Sequence, residues 1–202
     1  MMNLDISKLK GRHIYLELLL PGHRDIIRQL ARDERIWEFN KMLLIDESYD
    51  KMFDAYFDMA LDRQAMSGQQ SFVIRQVKDD AVIGMTRLYE ISEKDKLATI
   101  GYTWYIPSVW GKVYNKECKL LLLQYVFEIL KFNRAELRVA HQNIRSQRAV
   151  EKIGGVKEGV LRKHGYRNDG VLKHTVIYSI IDDEWLGVKE KLLQLITESE
   201  ND

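Results

Sequence analysis

The chain has one cysteine, two prolines and almost no net charge. Cys118 has no second cysteine to pair with, which excludes an intramolecular disulfide framework and any zinc site built from several thiolates. Such usage suits a reducing compartment. Pro21 and Pro107 stand far apart, so no Pro-rich linker divides the 202 residues. A single domain over residues 1–202 is expected, with its core over about residues 10–186. The formal net charge is +1 and no basic stripe stands out, which argues against a nucleic-acid partner. No apolar run approaches the roughly 18 residues that span a bilayer. The start of the chain carries acidic residues and no small-residue cleavage site, so it does not read as a signal peptide. These absences together predict a cytoplasmic protein without a membrane partner. His13, His23, His164 and His174 lack ligand spacing with acidic or thiol partners, and no metal is expected.

What is present fits a folded enzyme-sized domain. Hydrophobic residues make up 46% of the chain and charged residues 30%, enough for a core and too ordered a composition for a disordered tail. His13 to Leu18 reads as a strand, stopped by Pro21-Gly22. Residues 23–32 place Ile26, Ile27, Leu30 and Ala31 on one helical face. A second helix is predicted from about Asp46 to Ser67, with Tyr49, Met52, Phe53, Tyr56, Phe57, Ala60 and Leu61 recurring at spacings of three and four. Runs at Phe72–Val77, Ala81–Tyr89 and Ala98–Ile106, separated by polar turns, predict an antiparallel meander. Residues 115–131 form a strongly apolar helix that contains Cys118, expected to pack rather than react. Arg134–Val139 alternates as a strand. Asn143–Lys152 is a short helix with an Asn cap and a Gly154-Gly155 stop. Val156–Arg162 and Val171–Ile181 pair around the hairpin signal Asn168-Asp169-Gly170. A last helix covers about residues 183–199 through Trp185, Val188, Leu192, Leu193 and Leu195. The order β-α-α-β-β-β-α-β-α-β-β-α describes an α/β or α+β sheet with helices on its faces.

Two loop-to-helix junctions carry the chemistry. Gly111-Lys112-Val113-Tyr114-Asn115-Lys116 opens the long apolar helix. A helix N-terminus exposes backbone N–H groups to an anion, and two lysines add charge there. The loop fits neither the P-loop nor the dinucleotide fingerprint, so an ordinary helix start remains an equal reading. At the second junction, Asn143-Ile144-Arg145-Ser146, an ordinary cap with a surface serine is the simplest reading when that segment is taken alone.

Taken together, Asn143-x-x-Ser146, Gly154, Glu158-Gly159-Val160-Leu161-Arg162, Asp169-Gly170 and the strand running to Glu184-Trp185 form a pattern. With the start Gly11-Arg12-His13-Ile14-Tyr15-Leu16, it resembles the GCN5-related N-acetyltransferase (GNAT) superfamily. The nearest likeness is the subgroup similar to the ribosomal-protein N-terminal acetyltransferases RimJ and RimL. The resemblance implies a mixed, mostly antiparallel twisted sheet of about seven strands. Two parallel strands in it, ending at Ile106 and near Ala140, splay apart to hold acetyl-CoA. It implies that Trp104, Tyr105 and Ile106 meet the pantetheine arm and that Gly111, Lys112, Val113, Tyr114, Asn115 and Lys116 meet the pyrophosphate. The implied activity is N-acetylation of a primary amine (a protein N-terminus, an amino acid or a small molecule) by direct attack on the thioester. The alternative is a catalytically weakened CoA-binding or regulatory module on the same fold.

Several positions depart from the superfamily pattern. Trp110, Val113 and Asn115 replace the usual pyrophosphate residues, and Val113 disfavours the φ > 0 conformations open to glycine. The usual acid, a tyrosine, aligns with Val150. The resemblance therefore points to Ser146 as hydrogen-bond donor to the departing thiolate, with Asn143 ordering the cofactor arm or a water. The usual basic glutamate aligns with Thr99, leaving Glu90, His141 or a water chain, while Glu136 is read as structural. Trp37, Phe39, Tyr102 and Trp104 are candidate acceptor-pocket residues, although aromatics at such spacings are usually core. Relatives of this kind are often dimers, so a homodimer is among the expected states.

Overall fold

Helix and strand assignments are set by where each segment buries its apolar residues, and the computed structural model follows the predicted order closely. It describes residues 9–66 and 68–200. The start of the chain read for a leader, and Ser67 read as a helix end, lie outside the described residues.

The elements are β1 (Ile14–Leu18), α1 (Arg24–Leu30), α2 (Tyr49–Ala65), β2 (Gln69–Gln76), β3 (Val82–Ser92), β4 (Leu97–Tyr105), α3 (Tyr114–Gln124), β5 (Arg134–Ala140), α4 (Ile144–Lys152), β6 (Val156–Tyr166), β7 (Leu172–Ile181) and α5 (Trp185–Glu200). The strands form one seven-stranded sheet in the order β1-β2-β3-β4-β5-β7-β6. Every neighbouring pair is antiparallel except β4–β5, which is parallel. This is the mixed, mostly antiparallel sheet the sequence led us to expect.

Period-two alternation sends successive strand residues to opposite faces. Phe72 and Ile74 join the core that α3, α4 and α5 cover, while Val73 between them joins the core under α1 and α2. On β4, Tyr105 belongs to the first core and Trp104 to the second. The sheet is therefore sandwiched between two cores.

Three local features differ from the sequence reading. Ile26, expected on the buried face of α1, is 39% exposed, because this short helix turns Arg24 and Arg28 toward α2, while Ile27 is buried as expected. Arg24, Arg28 and Arg32, spaced by four, meet Asp50, Asp54 and Asp58, also spaced by four, and their guanidiniums lie 4.5–4.8 Å over Phe57, Phe53 and Tyr49. Asp46 to Ser48 is a turn rather than helix, with the Asp46 carboxylate accepting from the Ser48 N–H at 2.8 Å. α3 continues into a π-helical turn at Tyr125–Ile129, and Glu128 there accepts from Trp185 Nε1 and Lys189 Nζ, each at 2.8 Å. That pair ties α5 to α3.

The N-terminal strand is held by one buried carboxylate. Glu117 on α3 accepts from the backbone N–H groups of Arg12 at 2.7 Å, His13 at 2.9 Å and Ile14 at 2.8 Å. Gly11 leaves room for it, since a Cβ there would lie 2.5 Å from the Glu117 carboxyl carbon.

Candidate active site

Parallel pairing between β4 and β5 runs from Leu97↔Arg134 to Ile100↔Leu137 and then stops. Both strands continue, β4 to Tyr105 and β5 to Ala140. The cause lies in the register of β4 against β3. Met85 faces Trp104 and Arg87 faces Gly101, so β4 carries one residue more than β3 in that interval. Tyr102 within it has φ 51, a left-handed conformation. A bulge of this kind bends its strand and increases the local twist, and here it turns β4 away from β5. Gly84 permits the close approach of β3 behind the bulge, because a Cβ there would lie 2.1 Å from the Trp104 carbonyl oxygen. The result is a cavity of about 710 Å³ between the diverging halves. Backbone groups on facing strand edges that do not pair with each other need another partner.

One end of the cavity is walled by the α3 and α4 termini. Gly111, Lys112, Asn115 and Lys116 line it, together with Arg145 and Lys152 of α4. The N-cap residue Val113 makes no side-chain cap bond at the start of α3, and a helix N-terminus of this kind favours an anion. The left-handed residue in this loop is Gly111, with φ 78. Val113 sits at φ −60 and ψ −28, ordinary helical backbone. The concern that a valine there strains the loop is therefore removed: the turn needs its glycine at residue 111. Trp110 fixes the loop to the strand, with Nε1 donating to the Tyr105 carbonyl at 2.9 Å, and the Arg145 guanidinium lies 4.4 Å over its ring.

Asn143 caps α4, its Oδ1 accepting from the Ser146 N–H at 2.9 Å. With the carbonyl oxygen engaged, the Asn143 amide NH₂ is left to donate. Asn143 and Ser146 both line the cavity, as do Trp104, Tyr105, Tyr102 and Glu90. The predicted set is not wholly gathered there. Trp37 is 1% exposed, donates from Nε1 to the Ala31 carbonyl at 2.7 Å and packs against Tyr56 and Trp104. It is core, because the indole finds its polar partner at the C-cap of α1, and it does not line the cavity. Ile106 faces away into the cores on both sides of the sheet. Val113 and Tyr114 border a neighbouring recess with Arg12 and His13, and the Tyr114 hydroxyl is 2.6 Å from Gln76 Oε1.

The base candidates separate by geometry. His141 is exposed and outside the cavity lining. Val150 is buried against Gly155 and offers no polar atom. Thr99 is also buried, and its hydroxyl lies 3.4 Å from Glu90 Oε2, so the neighbouring strand brings a carboxylate to the place where Thr99 has none. Arg138 grips Glu90 through Nη1 at 2.9 Å and Nη2 at 2.5 Å, a bidentate pair. Glu136 accepts from Arg138 at 2.7 Å and Arg134 at 3.2 Å, a structural role as read from the sequence.

The opposite end is closed by the segment 36–42, by Arg63 of α2 and by the β6–β7 hairpin. Asn168 at the hairpin tip donates from Nδ2 to the Met42 carbonyl at 2.6 Å, joining the two walls.

A splayed parallel pair over an uncapped helix start is the arrangement the sequence pattern pointed to, and comparison with known proteins agrees. Residues 13–156 match the family model described as an acetyltransferase (GNAT) domain. The chain belongs to the GNAT acetyltransferase family. YjcK of Bacillus subtilis (strain 168), whose name proposes an N-acetyltransferase, is 31% identical over 87% of this chain and 99% of its own length. YdaF of the same organism, whose name proposes a ribosomal N-acetyltransferase, is 34% identical over 55% of this chain, and the match spans only 60% of that relative. That relative is consistent with the RimJ/RimL-like branch. A spermidine N-acetyltransferase from Vibrio cholerae, solved with CoA and spermine, shares the fold at a TM-score of 0.70 and 23% identity, over 86% of this chain and 98% of that one.

Two residues of this GNAT chain escaped the sequence reading. Lys119 on α3 is 7% exposed, lines the cavity and places Nζ 3.2 Å from Thr103 Oγ1. Burial lowers its pKa from the ordinary lysine value. A lysine amid Cys118 and four leucines was the available signal, a charge on a face that helical periodicity assigns to the core. The other is Asn168 itself, read as turn chemistry ahead of a hairpin that was expected to contact the substrate. Among the described residues no cluster of three or more His, Cys, Asp or Glu could hold a metal, and no helix is long and apolar enough to cross a membrane.

Proposed function

We propose that this chain transfers the acetyl group of acetyl-CoA to a primary amine by direct attack of the amine on the thioester. The observation that carries the reading is the parallel pair β4–β5, which opens after Ile100↔Leu137 into a cavity that also takes in the uncapped start of α3. The β4 edge from Gly101 to Tyr105 would hydrogen-bond the pantetheine amides, and Lys112, Lys116 and the α3 N–H groups would hold the pyrophosphate. Arg145 and Lys152 would add charge for the remaining phosphate.

In the reaction the amine nitrogen bonds to the thioester carbon, the C–S bond breaks, and the sulfur leaves as thiolate. The Ser146 hydroxyl donates a hydrogen bond to that sulfur, and the amide NH₂ of Asn143 orders the cofactor arm or a water. The amine must arrive neutral. Glu90, gripped by Arg138, is the carboxylate that takes the proton of the ammonium form and passes it to solvent. The acceptor belongs to the amines at large: a protein N-terminus, an amino acid or a small molecule. The weakened CoA-binding module loses one of its grounds, since Val113 occupies unstrained helical backbone.

Thermal denaturation with acetyl-CoA and thiol release over an amine panel test the reading. At a hundred times Kd, binding adds about 2.7 kcal/mol, which at roughly 2–4 °C per kcal/mol raises Tm by about 5–10 °C. No rise at millimolar acetyl-CoA contradicts the proposal. A rise without thiol release from any amine leaves binding alone.

A further inference from the structure

The cavity is far more basic than the chain. The protein carries a net charge of +1, yet the side chains lining the cavity include ten lysines and arginines and a single carboxylate, Glu90. The phosphates of CoA would account for the cations at the α3–α4 end. They do not account for those at the opposite end, where Lys41, Arg63, Arg138, Arg167 and Lys173 line the wall. Arg138 is paired with Glu90 and Glu136, and Arg167 with Asp169. Lys41, Arg63 and Lys173 form no ion pair among the described residues.

A second observation lies behind that wall. Arg87 of β3 is fully buried, with its guanidinium 4.4 Å over the rings of both Tyr56 and Tyr102. Nη2 donates to the Tyr56 carbonyl at 3.3 Å, while Nε and Nη1 find no hydrogen-bond partner. No carboxylate neutralises it among the described residues, and a guanidinium does not shed its proton. The aromatic faces offset part of the burial cost. Its charge remains, one ring behind the Tyr102 surface that lines the cavity. Low-dielectric walls carrying one sign of charge concentrate ligands of the opposite sign.

We infer that the acceptor is a primary amine that also bears an anionic group, a carboxylate or phosphate, and that polyamines are disfavoured. The inference rests on the acetyl-transfer reading above and names its substrate class. The amine end meets Glu90, the one acidic side chain in the lining, and the anionic end meets Lys41, Arg63 and Lys173, backed by Arg87. The Vibrio spermidine N-acetyltransferase shares the fold and binds a polycation. This cavity opposes such a ligand, because each further ammonium would face uncompensated cations.

Calorimetry on the protein saturated with CoA decides the matter, using three probes of equal chain length: 5-aminopentanoate, 1-aminopentane and 1,5-diaminopentane. The expected order of affinity is 5-aminopentanoate, then 1-aminopentane, then 1,5-diaminopentane, with about tenfold or more between the extremes at low salt and a smaller gap at high salt. Paired peptides with a free N-terminal serine followed by glutamates or by lysines tell whether the anion belongs to a small molecule or a peptide; preference for the acidic peptide supports the inference and preference for the basic one opposes it. Arg63→Glu, at an exposed position on α2, lowers 5-aminopentanoate affinity about tenfold while CoA affinity holds. Equal or tighter binding of the diamine, or no binding of any probe at 10 mM (an order-of-magnitude ceiling), overturns the inference. Failure of CoA itself to bind overturns the acetyl-transfer reading and this inference with it, whereas CoA binding with a preferred diamine overturns this inference alone.

Discussion

Asn143 and Ser146 share one turn of α4 but answer to different physical tests, and substitution separates them. Asn143 Oδ1 caps the helix through the Ser146 N–H at 2.9 Å. An Asn-to-Ala change at such a cap costs about 1 kcal/mol, in a range of roughly 0.5–2. For a chain of this length that lowers Tm by about 2–4 °C per kcal/mol. Asp caps as well as Asn, so Asn143→Asp should keep Tm close to wild type. It removes the amide donors, however, and puts a negative charge beside the thioester, so kcat/KM should collapse while stability holds. Ser146→Ala makes the complementary case. The Ser146 hydroxyl has no hydrogen-bond partner among the described residues, so Tm should not move. Loss of a donor to a charged sulfur is worth about 1.5–3 kcal/mol, or about ten- to a hundredfold and more in kcat. The assays are differential scanning fluorimetry and thiol release with saturating acetyl-CoA. If Asn143→Asp destabilises as much as Asn143→Ala, the cap is misassigned. If Ser146→Ala spares kcat and raises KM for acetyl-CoA, the serine holds the cofactor and does not assist the leaving group.

Other outcomes follow from single contacts. Glu117→Ala orphans three backbone N–H groups, each bonded to a charged acceptor, and should cost at least about 3 kcal/mol in urea denaturation; a loss under 1 kcal/mol (an order-of-magnitude threshold) would show that water replaces the carboxylate. Arg134 and the Ser179 hydroxyl hold the Glu158 carboxyl at about 2 against an ordinary 4.5. A depressed carboxyl pKa stabilises the fold above the unfolded value, and the contribution disappears as pH falls from about 4.5 toward about 2. Glu158→Gln should therefore narrow the gap to wild type as urea midpoints are followed down through that window, and a constant gap would refute the linkage. Asn168→Ala cuts the tie to the Met42 carbonyl and should raise KM for the amine while leaving KM for acetyl-CoA unchanged, read from initial rates.

Much of this was legible because one-dimensional patterns are enforced by burial. The β2–β3–β4 meander and the Asn143 cap both sit where alternation, turn residues and cap chemistry predicted them. The family likeness was also readable, because Asn143, Gly154 and the Asp169-Gly170 turn are fixed by backbone needs. What could not be read was set by third partners. Trp37 looked like a pocket aromatic, but only folding brings Ala31 and Tyr56 to it. Ile26 looked buried, but the α1–α2 ion-pair ladder turns it outward. The bulge at Tyr102 has no sequence signal, since any residue can be the extra one once Gly84 admits the close backbone. Arg87 and Lys119 are charges in apolar company, a pattern that flags a position without saying which cavity it serves.

The proposed transfer requires that the opened edge of β4 and the start of α3 receive acetyl-CoA. Backbone hydrogen exchange with and without acetyl-CoA tests it directly. Slowed exchange is expected at Gly101–Tyr105 and at residues 113–116, with little change on β1 or the outer strand β6. Unchanged exchange on β4 and α3 at saturating acetyl-CoA, or protection confined to some other surface, would contradict it.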